Sequence, residues 1–189
     1  VSDALRLVVA EDEAIIRLDL IEALQDSGYI VVAACGRGDD ALRLVAEHEP
    51  DLALLDVKMP GMSGIEAARV ITAESSTAVV ILTAFSQREL IDEASDAGAM
   101  AYLIKPYRRD DLIATVELAV TRRREAEALA GQMAALEERF EERKTIERAK
   151  GVLMDRNDLS ESDAFRFLQR GAMSGRRRMI DIAREILEQ

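Results

Sequence analysis

The chain has 189 residues and a formal net charge of -11, long enough for one full domain and a smaller appendage. That acidity argues against bulk, nonspecific binding to nucleic acid, and the single cysteine, Cys35, excludes an internal disulfide and fits a reducing compartment as a small buried hydrophobe. Apolar runs fall far short of the ~18 residues of a membrane span and no signal region opens the chain, so a cytoplasmic protein is expected.

The charge is uneven along the chain. Residues 1–120 hold 10 Lys/Arg against 22 Asp/Glu, residues 121–143 hold 5 against 6, and residues 144–189 hold 10 against 8. These three segments are the expected domains: a first domain, a helical linker of coiled-coil type, and a small, mildly basic output domain.

In chain order, five short apolar runs recur in the first segment: LRLVVA (5–10), YIVVAA (29–34), LALLDV (52–57), AVVILTA (78–84) and AYLIK (101–105). Apart from the charge of Arg6 in the first, they are continuous rather than alternating, as parallel strands covered on both faces should be. Between them lie stretches of helical spacing: Ile15, Leu18, Ile21 and Leu24 before Gly28; Ala41, Leu44 and Val45; Ile65, Ala68 and Ile71 after Gly64; and Leu90, Ile91 and Ala94 before Gly98. Alternating β and α elements predict a doubly wound α/β sheet.

After Asp111 the pattern becomes continuous helix. Ala119, Arg122, Ala126, Leu129, Met133, Leu136 and Phe140 recur at spacings of three and four, a heptad seam. Two readings stand for it: a homodimer through the linker helix, or a helix docked on its own protein. The last segment predicts three short helices. Ile146, Ala149 and Leu153 lie on the first, and Ser160 with Asp163 opens the second, which carries Ala164, Phe165 and Leu168 and breaks near Gly171 to Gly175. The third starts at about Arg177 and carries Ile180, Ala183 and Leu187.

In open parallel sheets, functional groups sit beyond the carboxyl ends of the strands. The first run ends in Glu11-Asp12, the third in Asp56, the fourth in Thr83 and the fifth in Lys105 before Pro106. A lone ionised carboxylate beside a run as apolar as Leu52 to Leu55 is costly unless paired or bound to a cation. Three carboxylates crowded together call for a cation, and oxygen ligands on a small site select Mg²⁺. The set suits phosphoryl transfer, with Asp56 as nucleophile, Lys105 and the metal holding phosphoryl charge, and Thr83 donating to a phosphoryl oxygen.

These residues resemble the receiver domain of two-component response regulators over residues 3 to about 120. AEDE matches the family's acidic pair, LLDVKMPGMSG its phosphoacceptor loop with Gly64 eight residues past Asp56, ILTA its switch threonine and AYLIKP its lysine and proline. The resemblance implies a flavodoxin-like five-stranded sheet of order 2-1-3-4-5, and phosphorylation of Asp56 by a sensor histidine kinase. It implies a Mg²⁺ site from Glu11, Asp12, Asp56 and the backbone carbonyl of Lys58, and a switch in which Thr83 moves and Tyr102 turns inward. It also implies a cis Lys105-Pro106 bond.

The run ERAKGVLMDRNDLSESDAFRFLQRGAMSGRRRMIDIA resembles the ANTAR domain, the three-helix RNA-binding module of transcription antitermination regulators, over about 144–189. That implies binding to stem-loops of a leader RNA, promoted by phosphorylation, and antitermination. Lys144, Arg148, Arg166, Arg170, Arg176, Arg177 and Arg178 are the residues that would follow a phosphate backbone; Phe165 reads first as a core residue on the buried helix face, and could alternatively stack on a base. Two other readings are weighed. Three short helices also suit a receiver-gated DNA-binding factor. An aspartate-nucleophile phosphatase is disfavoured, because Lys58 stands two residues past Asp56, where that chemistry wants a second carboxylate. Beyond phosphoryl acceptance and slow self-dephosphorylation, no enzyme is expected. His48, in the EHEP connector, reads as a helix-end residue.

Overall fold

The computed structural model describes residues 4–84 and 88–188. Five strands, β1 (Arg6–Ala10), β2 (Ile30–Cys35), β3 (Leu52–Asp56), β4 (Ala78–Thr83) and β5 (Ala101–Ile104), pair in parallel in the order β2-β1-β3-β4-β5. They alternate with α1 (Ala14–Gln25), α2 (Gly38–His48), α3 (Gly64–Glu74) and α4 (Arg88–Asp96), and are followed by α5 (Arg109–Asn157), α6 (Glu161–Gly175) and α7 (Met179–Glu188). The strands stand where the five apolar runs predict, to within a residue at each end.

Both sheet faces are packed, which is why the strand sequences do not alternate. Leu7, Val9, Leu54, Val80 and Leu82 face Leu20 and Leu24 of α1 and Leu112, Val116 and Ala119 of α5. Val8, Ala10, Leu55, Val79 and Ile81 face Ala41 and Val45 of α2, Ala68 and Ile71 of α3, and Ala94 of α4. The side chain of Leu90, expected on this face, lies outside the described residues.

Helix α1 departs from its expected face. Ile15 and Leu18 are 76% and 65% exposed, while Ile16, Leu20, Ala23 and Leu24 turn toward the sheet. Its apolar residues, Ile15, Ile16, Leu18, Leu20, Ile21 and Leu24, encircle the helix, so spacing alone allows more than one stripe. Only the packing against β1 and α5 selects the one used.

The chain divides into two compact units, one up to Glu127 and one from Ala128 onward. The division falls inside α5, a single helix of 49 residues. The separate first helix expected from TIERAKGVLMDR is instead the end of α5. No proline or cap interrupts it, and an internal glycine such as Gly131 costs only about 1 kcal/mol. In the second unit two short helices therefore pack on the end of α5 through Ala149, Leu153, Ala164, Leu168 and Ala183. Helix α6 runs through Gly171 to Gly175. A Cβ on Gly171 would lie 3.3 Å from Ile182, so the glycine permits close packing with α7 rather than a break. Phe165, expected on the buried face of α6, is 42% exposed.

The heptad seam divides as well. Ala119 belongs to the receiver-side core, and Arg122 donates to the Met100 carbonyl at 2.9 Å. Leu129, Met133, Leu136 and Phe140 remain as an exposed apolar stripe.

Candidate functional site: an acidic crevice at the strand ends

Glu11, Asp12, Asp56, Thr83 and Lys105 all follow or end β1, β3, β4 and β5, and the parallel register brings those ends to one edge of the sheet. One carboxylate oxygen from each of Glu11, Asp12 and Asp56 lies within 4.8 Å of the others. Glu11 is fully buried, Asp56 and Thr83 nearly so, and Asp12 is exposed. Lys105 Nζ donates to Glu11 Oε2 at 2.5 Å and to Asp56 Oδ1 at 2.6 Å, and the Lys105-Pro106 bond is cis.

The second oxygen of Asp56 accepts from the Lys58 backbone N–H at 2.8 Å, which fixes the carboxylate's orientation. The loop after β3 is drawn close by Gly64, whose N–H donates to the Val57 carbonyl. A Cβ at Gly64 would sit 2.1 Å from the Asp56 carbonyl oxygen, so only glycine fits this approach. Ser63 then caps α3, accepting from the Glu66 N–H while Glu66 accepts from the Ser63 N–H.

Electrostatics agree with a cation-seeking site. Burial pushes the Glu11 carboxyl above its ordinary range, as does the charge of Asp56, and the Lys105 ammonium only partly offsets them. Burial works against the charge on Lys105, yet its bonds to Asp56 and Glu11 outweigh this and hold its pKa above the usual value. Burial pushes the nearby Tyr107 hydroxyl up to about 12.

Glu11 Oε1 is buried without a hydrogen-bond partner among the described residues. Three carboxylates and an orphaned oxygen fit a hard divalent cation such as Mg²⁺. Tyr102, on the edge strand β5, is 43% exposed and stands opposite Ile81, two positions before the Thr83–Ile104 pair.

In the second unit the expected basic residues fall into two groups. Lys144 pairs with Glu141 at 3.3 Å, Arg166 with Asp163 at 3.8 Å, Arg177 with Glu185 at 2.6 Å, and Arg178 with Glu142. Arg148, Arg170 and Arg176 have no acidic partner among the described residues. Lys150 was not anticipated: it is buried, and donates to Glu147 at 2.9 Å and Glu161 at 2.7 Å, joining α5 to the start of α6. A lysine inside ERAKGV carries no sequence mark that separates it from its solvated neighbours. His48 ends α2 half-buried, as a helix-end residue should.

Among the described residues no helix is long and apolar enough to cross a membrane. The family model of the response regulator receiver domain matches residues 7–117, and that of the ANTAR domain matches residues 134–187. The transcriptional regulatory protein PdtaR of Mycobacterium tuberculosis is 50% identical over 183 residues, covering 97% of this chain and 89% of PdtaR. A protein-glutamate methylesterase/protein-glutamine glutaminase of Haloarcula marismortui is 41% identical over 107 residues, 56% of this chain but 29% of that protein. Among solved structures, the signal receiver domain of the response regulator NarL from Mycobacterium tuberculosis superposes with a TM-score of 0.60 at 32% identity, covering 62% of this chain and 97% of that one. The chain belongs to the response regulator family, with a receiver domain followed by an ANTAR domain.

Proposed function

We propose that this chain is a phosphorylation-controlled RNA-binding regulator of transcription, in which a sensor histidine kinase loads Asp56 and the ANTAR unit answers by binding leader-RNA stem-loops and preventing a terminator. The observation that carries the first half is the cluster of Asp56, Lys105 and Glu11 with its unpartnered Glu11 Oε1. The receiver and ANTAR matches on one chain support the second half, and weigh against an enzyme or a DNA-binding output.

In this reading Asp56 attacks phosphorus: the Asp56 Oδ–P bond forms as the N–P bond of a kinase phosphohistidine breaks, and the imidazole leaves. Lys105 is already beside Asp56 Oδ1, where it would neutralise the phosphoryl oxygens, while Glu11, Asp12 and Asp56, with the Lys58 carbonyl that the family resemblance adds, would hold the cation. Bound Mg²⁺ would supply charge neutralisation on the transferring group. Thr83, buried at the end of β4, donates to a phosphoryl oxygen, and Tyr102 turns inward from its exposed place on β5. The exposed stripe of Leu129, Met133, Leu136 and Phe140 suits a second copy of the same helix, which supports a homodimer through the linker helix.

Incubation with acetyl phosphate and Mg²⁺, read by intact mass, tests the acceptor. The parent should gain one phosphoryl group and Asp56→Asn none. Equal uptake by the variant would move the acceptor elsewhere.

A further inference from the structure

We infer that Arg17 of α1 is a positioning residue for the acidic crevice, holding the loop after β1 so that Glu11 and Asp12 present their carboxylates together; this rests on the phosphoacceptor reading above. The chain's first 120 residues hold 22 acids, yet among the described residues Arg17 makes no ion pair. Its Nη1 donates instead to the backbone carbonyl of Glu11, and reaches that of Asp12 at 3.5 Å.

Space for the guanidinium is made on the neighbouring loop. A Cβ at Gly36 would stand 3.1 Å from Arg17 Nη1 and 3.6 Å from both the Asp12 Cα and the Glu11 carbonyl oxygen. The Glu11 N–H donates to the Cys35 carbonyl at 3.0 Å, so the Glu11 peptide units are held from β2 on one side and from α1 on the other.

The chemistry gives this arrangement a purpose. Adjacent carboxylates facing Asp56 repel one another, and a mobile loop would relax by spreading them, which would separate the oxygen ligands of a cation. A charged donor on the two carbonyls opposes that relaxation and adds positive charge without occupying any carboxylate oxygen. One nitrogen serves both carbonyls, so a lysine head can take the same place, whereas a methionine keeps the apolar stem and loses the donor.

The test uses the full-length chain with Mn²⁺ as a spin probe for divalent binding, and the parent, Arg17→Met and Arg17→Lys in parallel. Arg17→Met is expected to bind Mn²⁺ about tenfold more weakly, and Arg17→Lys to recover to within about threefold of the parent. Arg17→Met with affinity within twofold of the parent overturns the inference. Should Arg17→Met fail to fold, Gly36→Ala crowds the guanidinium while leaving it in the chain. Weakened binding is then expected, and parent-like affinity overturns the inference. Absence of Mn²⁺ binding by the parent would instead sink the phosphoacceptor reading itself.

Discussion

Replacing Lys105 by methionine removes the one ammonium that bridges Glu11 Oε2 and Asp56 Oδ1 and keeps most of the aliphatic stem. The side chains concerned are 15%, 0% and 9% exposed, so solvent can do little to stand in for the lost charge. Breaking a buried pair from one side typically costs about 3–5 kcal/mol. Because Lys105 is the least buried of the three, the lower end, about 3 kcal/mol at pH 7 without divalent metal, is expected. The loss should depend on pH with a definite sign. Glu11 titrates above its ordinary value in the folded protein through burial and the charge of Asp56, and losing Lys105 raises it further. A carboxyl with a raised folded-state pKa binds its proton more readily folded than unfolded. The variant's deficit is therefore fullest above that raised pKa, and shrinks as pH falls through it toward the unfolded value. Added Mg²⁺ should also narrow the deficit, because without the Lys105 charge the carboxylates bind the cation more tightly and the variant's folded state gains more than the parent's. The chain has three tyrosines and no tryptophan, and Tyr29, Tyr102 and Tyr107 all precede Glu127, so urea unfolding followed by tyrosine fluorescence reports the receiver unit alone. A deficit below about 0.5 kcal/mol that is flat from pH 5 to 8 would refute the claim that these carboxylates are buried together and mutually repelling.

Other expectations address single features of the site and the output unit. Gly64→Ala places a methyl 2.1 Å from a backbone oxygen, which cannot rotate away, so the receiver should lose roughly 2 kcal/mol or more in the same unfolding assay; parent-like stability would show that the loop moves freely. Charge reversal of Arg148 and Arg170, which have no acidic partner among the described residues, should weaken stem-loop RNA binding at physiological salt more than reversal of Arg177 and Arg178, whose charges are already met by Glu185 and Glu142. Equal losses from the two sets, measured by filter binding, would place the RNA surface elsewhere. Duplex DNA should compete poorly in that assay.

The strands and the crevice were legible because each strand is a nearly continuous apolar run and four of the five end in, or are followed at once by, a polar residue (Glu11, Asp56, Thr83 and Lys105), a local signal that survives without any tertiary information. Glu11, Asp56 and Lys105 meet as their positions imply, since parallel register carries four strand ends to one edge. Helix faces were less legible. In α1 the apolar residues surround the axis, and Ile15 and Leu18 turn outward because packing, not periodicity, chooses among the stripes. The helix carrying Ile146, Ala149 and Leu153 reads from spacing as one of its own, yet nothing in the residues before it stops α5, and continuity costs less than two new helix ends. Partnering was the least legible. Arg17 and Lys150 look like ordinary solvated cations, and only three-dimensional neighbours show one bound to backbone carbonyls and the other buried between Glu147 and Glu161.

The central claim, that the acidic crevice governs RNA binding by the ANTAR unit, is tested most directly by titrating a tandem stem-loop RNA with the full-length protein, with and without Mg²⁺ and beryllofluoride as a phosphoryl mimic. Binding at least about tenfold tighter with the mimic, a coupling of roughly 1.4 kcal/mol, and loss of that gain in Asp56→Asn are predicted. Equal affinity in both states, with beryllofluoride shown to occupy the Asp56 site, would contradict it.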